Sequence, residues 1–190
     1  MADANLTDRQ QKWFASVRAG LERDTGKSLE DWVAIAKTCS ETAHRARLKW
    51  FKETHGLLQN RASQVLDAAF PTGTGWNEPE GLIDALWIVP ASRALFEAVN
   101  AAALALPGTV RTARKGYTAW SRTFQFVALK PLKNGGAILG LAVAQDTDER
   151  LQTPRSEGWS ERLKARLPLA APGEIDPAFK ALLKAAWEQA

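Results

Sequence analysis

The chain has 190 residues, 45% hydrophobic and 24% charged, with a formal net charge of +4. That length allows one domain or two small ones, and eight Trp exclude a disordered chain, which lacks aromatics to bury. The single cysteine, Cys39, excludes an intrachain disulfide and suits a reducing cytoplasm.

The first residues, MADANLTDRQ, carry neither a basic n-region nor an apolar h-region, so no secretory signal is expected. Thr7 with Gln10 makes a capping-box pattern, and Trp13, Phe14, Val17 and Leu21 then fall on one helical face. Gly26 is a stop. Ser28 with Asp31 makes a second box, opening a helix with Trp32, Val33 and Ile35. A third helix is expected from about Glu41 to Thr54, with Gly56 behind it, and a fourth from about Gln59 to Phe70. Pro71-Thr-Gly-Thr-Gly75 is a run of turn residues that reads as a linker.

Helical patterns resume at Glu80–Leu86 and Ala91–Leu106, broken at Pro90. Within the second of these, Ala94 to Leu106 is the most apolar helical run. Glu97 and Asn100 interrupt it, and it falls short of the roughly 20 apolar residues a bilayer span needs. A β-meander is expected next. Its strands are near Thr109–Ala113, Tyr117–Trp120, Phe124–Lys130 and Ala137–Val143. Its turns are Arg114-Lys115-Gly116, Ser121–Thr123 and Asn134-Gly135-Gly136, the last a hairpin signal. The fourth strand is apolar everywhere except Gly140, as for a strand covered on both faces. A short helix near Ser160–Arg166 and an extended piece near Leu167–Ala170 follow. The last helix has Asp176 as N-cap and Pro177 at its first position, then Phe179, Leu182, Leu183, Ala186 and Trp187 on one side.

The expected class is α+β: an N-terminal helical bundle followed by an antiparallel meander of about four strands packed with helices. The expected division is a helical domain over 1–70, a linker over 71–80 and an α+β domain over 81–190. A helical unit of about 70 residues buries too little surface to be robust alone. It is therefore expected to pack on the second part.

Charge is unevenly distributed. Between Glu97 and Asp146 there is no Asp or Glu, while Arg111, Arg114, Lys115, Arg122, Lys130 and Lys133 contribute +6, so the rest of the chain sums to −2. The gap coincides with the meander, and a one-signed patch on a rigid scaffold attracts anions. Alternate turns of a meander lie at the same end. Arg114, Lys115, Lys130 and Lys133 should then share one end of the sheet, with Arg122 at the other. These five are the candidate anion-binding residues. Tyr117, Trp120, Phe124 and Phe126 lie among them, as in sheets that bind nucleic acid by phosphate contacts and stacking. Period-2 spacing puts Trp120, Phe124 and Phe126 on one face, which is equally the pattern of a core. Basic turns also protect sheet edges.

Other motifs read as structural. Thr25-Gly26-Lys27-Ser28 ends like a P-loop, but Leu21 occupies the position of its first glycine and the segment follows a helix. His44, His55 and Cys39 match no zinc spacing. Asp146-Thr-Asp148-Glu149 could offer oxygens to a hard cation, but lacks EF-hand spacing and reads as a solvated acidic loop. No G-x-S-x-G motif occurs, and nothing marks Cys39 as activated. A second basic cluster, Arg45, Arg47, Lys49 and Lys52, reads as a solvated helix face diluted by Glu41 and Glu53.

The stretch T-G-K-S-L-E-D-W at 25–32, with Trp50, Lys52, His55, Gly56 and Leu57, resembles a small helical bacterial domain of unknown function. From about Gly81 the chain resembles a second uncharacterised domain often found beside the first. The residues that carry this are Lys115-Gly-Tyr117, Phe124-Gln-Phe126, Lys130-Pro131, Leu139-Gly-Leu141, and Glu174-Ile-Asp176 before Ala185-Ala-Trp187. That domain also occurs in predicted transport proteins and is distantly similar to a frataxin-like bacterial iron-chaperone domain. Frataxin-type iron binding uses an acidic surface, from which the basic sheet departs.

The function expected is therefore a non-enzymatic cytoplasmic binding module without a cofactor or membrane segment. Its rim would meet an anionic ligand, nucleic acid among them. The alternatives are a small-molecule or iron carrier, and an enzyme with a spatially assembled site. Oligomeric state is left open.

Overall fold

Ser28 shows how locally this chain is encoded. Its hydroxyl accepts the Asp31 N–H at 3.1 Å while the Asp31 carboxylate accepts the Ser28 N–H at 3.0 Å, so two donors at a helix start are satisfied reciprocally. The computed structural model describes residues 6–71 and 79–190. Residues 72–78 of the expected linker over 71–80 lie outside them, as does half of the N-terminal segment. The chain divides into two compact units, Asp8–Gly75 and Trp76–Ala190 with Met1–Thr7.

Among the described residues the first unit has four helices: α1 (Asp8–Thr25), α2 (Leu29–Lys37), α3 (His44–His55) and α4 (Gln59–Ala69). Gly26 ends α1 at φ 68°, in the left-handed region open to glycine. Its N–H reaches the Glu22 carbonyl at 2.8 Å. At the end of α3, Gly56 in the left-handed region donates to the Lys52 carbonyl, an αL closure, and Leu57 donates to Phe51. Leu21, Trp32, Phe51, Val65 and Leu66 form the core. The Trp32 indole N–H donates to the Thr25 hydroxyl at 3.0 Å, so the segment resembling a P-loop is a helix stop tied to the next helix. Arg47 stacks 3.6 Å from the Phe70 ring centroid, and Lys49 pairs with Glu53, which occupies half of the second basic cluster.

Among the described residues the second unit has α5 (Glu80–Leu86), α6 (Pro90–Leu104) and α7 (Pro177–Glu188), with five strands: β1 (Val110–Ala113), β2 (Thr118–Ser121), β3 (Gln125–Pro131), β4 (Ala137–Leu141) and β5 (Ala165–Leu169). The sheet is antiparallel throughout in the order β1-β2-β3-β4-β5. The fold is α+β as expected, with one strand more than the four expected.

The extra strand takes up the extended piece expected near Leu167–Ala170 and the last two residues of an expected helix. Ser160–Arg166 forms no helix; Ala165 and Arg166 pair with Leu141 and Gly140 in β5. The segment's residues tolerate a helix, but pairing along buried β4 satisfies backbone groups that would otherwise be orphaned.

Register separates the sheet faces. Trp120, Val127, Leu141 and Ala165 align across it, as do Thr118, Leu129, Leu139 and Leu167. These residues meet Ile83, Trp87, Leu95, Phe96, Phe179 and Leu183 from the three helices. Trp87 stacks on Phe96 at 5.1 Å and Phe96 on Trp120 at 6.1 Å. The register shifts between Trp120 and Ser121, so Phe126 is an extra residue, and both Phe126 and Val127 enter this core. Phe124 does not follow Trp120 and Phe126 inward. It is half-buried, with the Arg162 guanidinium 3.8 Å from its centroid.

The opposite face carries the row Thr112, Ala119, Ala128, Gly140 and Arg166. Residues 150–164 form a strap over it, bringing Trp159 and Leu163 onto the small side chains. β4 is therefore covered on both faces, as its unbroken apolar run implies. Among the described residues no helix is long and apolar enough to cross a membrane.

Candidate anion-binding site

The basic residues of the meander are placed by two tight turns. Between β1 and β2, the Arg114 N–H donates to the Tyr117 carbonyl at 2.8 Å, putting Lys115 and Gly116 at the tip. Between β3 and β4, the Leu132 N–H reaches the Gly136 carbonyl at 2.8 Å, and Gly135 turns the chain at φ 87°. Lys133 sits at that tip. Strand direction puts both turns at one end of the sheet, two strand spacings apart, or roughly 10 Å. That is somewhat more than the Debye length of about 8 Å at physiological salt, so the two lysines act together chiefly on an anion that reaches both tips. Arg122, in the β2–β3 turn, lies at the other end.

The six cations of the charge gap have different surroundings. Arg111 forms an ion pair with Glu80 and donates to Asn100 at 3.3 Å. Arg122 is exposed but lies 4.2 Å from the Trp187 ring centroid. Arg114 is half-buried; burial draws its guanidinium pKa down, and the Tyr117 hydroxyl works against that. Lys130 is half-buried and its Nζ lies 3.5 Å from the Glu157 carbonyl. Lys115 and Lys133 are exposed, and neither has an ion-pair partner among the described residues.

The site continues onto the strap-covered face. Lys130 pairs with Ile138 and projects on the side of Ala128. Tyr117 meets Trp159 edge to face, ring centroids 6.3 Å apart. Glu157 lies between two cations: its carbonyl faces Lys130 and its carboxylate faces the Arg166 Nε at 3.5 Å. Arg166 is 8% exposed, and its Nε has no hydrogen-bond partner among the described residues. Sequence reasoning missed Glu157, Trp159 and Arg166. One signal was available: a lone Gly within a buried strand marks close approach by another group, and at Gly140 that group is Trp159.

The arrangement can hold an anion by charge at the two turn tips. Stacking has less to work with, because Trp120 and Phe126 are in the core and Tyr117 is engaged by Trp159. Asp148, the central acid of the 146–149 loop, is held by Arg150, whose Nε and Nη2 each donate at 2.9 Å. Among the described residues no three His, Cys, Asp or Glu side chains converge as a metal site.

Residues 86–190, more than half of the chain, match the family model Domain of unknown function (DUF5655). The chain belongs to that family. Residues 13–69 match a second model, Domain of unknown function (DUF4287). No curated protein and no solved structure matches the chain. The DUF5655 region contains both basic turns, the strap and the buried Glu157–Arg166 pair. The DUF4287 region contains the Ser28 cap and the Trp32–Thr25 bond.

Proposed function

We propose that this chain is a cytoplasmic, non-enzymatic binding module whose sheet end takes an anionic partner, nucleic acid first among them. Lys115 and Lys133 make the direct contacts. Lys130 and Arg114 stand behind them as half-buried support, and Arg122 lies outside the site. The observation that carries this reading is the pair of exposed lysines on neighbouring turn tips, without ion-pair partners among the described residues, in a stretch of chain that has no carboxylate.

The contact would be to phosphate rather than to bases, since phosphate contacts position a partner without reading its sequence. The iron-carrier reading has less behind it, because Asp148 is already committed to Arg150.

The test is binding of the full chain to labelled single-stranded and duplex oligonucleotides across a salt series. Binding should weaken as salt rises, with a log–log slope that falls by roughly 0.7 to 0.9 for each phosphate contact removed. Lys115→Glu with Lys133→Glu should abolish binding while leaving stability within about 0.5 kcal/mol. Absence of binding at low salt, or binding indifferent to the double reversal, overturns the proposal.

A further inference from the structure

On the helical side of the sheet-bearing unit, away from both basic turns, α6 ends in an apolar surface. From Ala101 to Gly108 there is no polar side chain. Yet Ala101 and Ala105 are exposed, and Leu104 is 46% exposed. A solvent-facing helix surface ordinarily carries charge, and an apolar one marks a contact.

Beside it runs α7. Between the two helices lies a groove of about 590 Å³, floored by alanines of α6 and walled by Ile175 and Leu183. Its two charged lining residues are Lys180 and Lys184, one turn apart on α7. The nearby carboxylates are engaged elsewhere. Glu174 accepts the Ala170 and Ala171 N–H groups at 2.6 and 2.8 Å, and Asp176 caps α7 through Phe179. Lys184 reaches Glu188 at 3.4 Å in an exposed pair of little worth. Lys180 has no ion pair among the described residues.

We infer that this groove docks an amphipathic helix of a partner protein, with small or aliphatic residues facing α6 and carboxylates along the edge that lies over α7. Three features favour a helix over a small molecule. The alanine floor admits a helix at the short end of the 8–10 Å interaxial range. The groove is partly open to solvent rather than enclosed, whereas a pocket for a small molecule encloses most of its ligand. The cationic side chains repeat at i and i+4, the spacing of one face of a docked helix. The basic charge lies on one wall only, which sets the orientation as well as the charge of the occupant.

The experiment pans a displayed library of helical peptides, about 18 residues and roughly 27 Å long, against the full chain, with Ala101→Arg as counter-selection. Enriched peptides should carry Asp or Glu on a single flank. In fluorescence anisotropy, a labelled winner should lose all measurable binding to Ala101→Arg and about tenfold in affinity to Lys180→Glu/Lys184→Glu. Exchanging the peptide's acids for Lys should restore binding to the double variant. All three substitutions are at exposed positions, and circular dichroism checks that the fold is intact. Failure to enrich any peptide overturns the inference, as does enrichment of peptides indifferent to both variants. Sedimentation of the free chain covers the other occupant: self-association abolished by Ala101→Arg would make the partner a second copy and overturn the assignment.

Discussion

The indole of Trp159 lies directly on Gly140: a Cβ at position 140 would stand 2.8 Å from two of its ring atoms and 3.1 Å from a methyl of Leu163. This contact is how the strap reaches the sheet. Gly140→Ala is expected to cost about 1–3 kcal/mol, because the ring must shift and Trp159 also packs on Tyr117. The check is the urea midpoint of the variant, with hydrogen exchange over residues 150–164. An unchanged midpoint would mean that the strap adjusts freely.

The strap is also held by charge. Glu157 and Arg166 are both nearly buried, with 3.5 Å between Oε1 and Nε. Removing Glu157 alone leaves a guanidinium without its anion, so Glu157→Ala is expected to destabilise by about 3 kcal/mol. Replacing the pair together, as Glu157→Leu/Arg166→Met, is expected to be neutral or stabilising, because the long contact repays little of the desolvation. Denaturant titration of the single and double variants decides. A double variant as unstable as Glu157→Ala would show that the pair contributes net stability.

In the helical unit, Ser28→Ala removes one arm of the capping box on α2 and is expected to cost about 1 kcal/mol, whereas Ser28→Asn, which keeps an acceptor for the Asp31 N–H without a second carboxylate beside Asp31, should be nearly neutral. Thermal unfolding of the full chain, followed for the transition of this unit, measures both.

Acid sensitivity has a defined source at Asp148. Hydrogen bonds from the Arg150 side chain, and then from its backbone N–H, lower the Asp148 pKa to about 2. A carboxyl depressed in the folded state contributes stability above its unfolded value of about 3.9. That contribution is lost as pH falls through about 2. Asp148→Asn should therefore flatten the melting temperature against pH between about 4 and 2, and leave its shape at neutral pH unchanged. A variant whose acid limb matches the parent would place the sensitivity elsewhere.

The elements the sequence announces are those with local signatures. The Ser28 box, the Asp176 cap with Pro177 behind it, the Asn134-Gly135-Gly136 turn and the apolar run of β4 all appear where their residues place them. Each depends on groups only a few positions apart, so the chain carries the information within a few residues. The ends of the sheet follow as well, since a meander with short turns must alternate.

Ser160–Arg166 could not be read this way. Its residues suit a helix, and only pairing with β4, more than twenty positions earlier, makes Ala165 and Arg166 part of a strand. The same limit applied to the charge gap. The sequence counted six cations without an intervening acid; it could not show that Arg111 meets Glu80, that Arg122 covers Trp187, or that Lys130 turns toward Glu157. Backbone preference and turn chemistry are short-range and are written in neighbouring residues. The partners of a charge, the occupant of a glycine's empty side and the exposure of the lysines at Lys115 and Lys133 depend on contacts between distant segments, which exist only once the chain has folded.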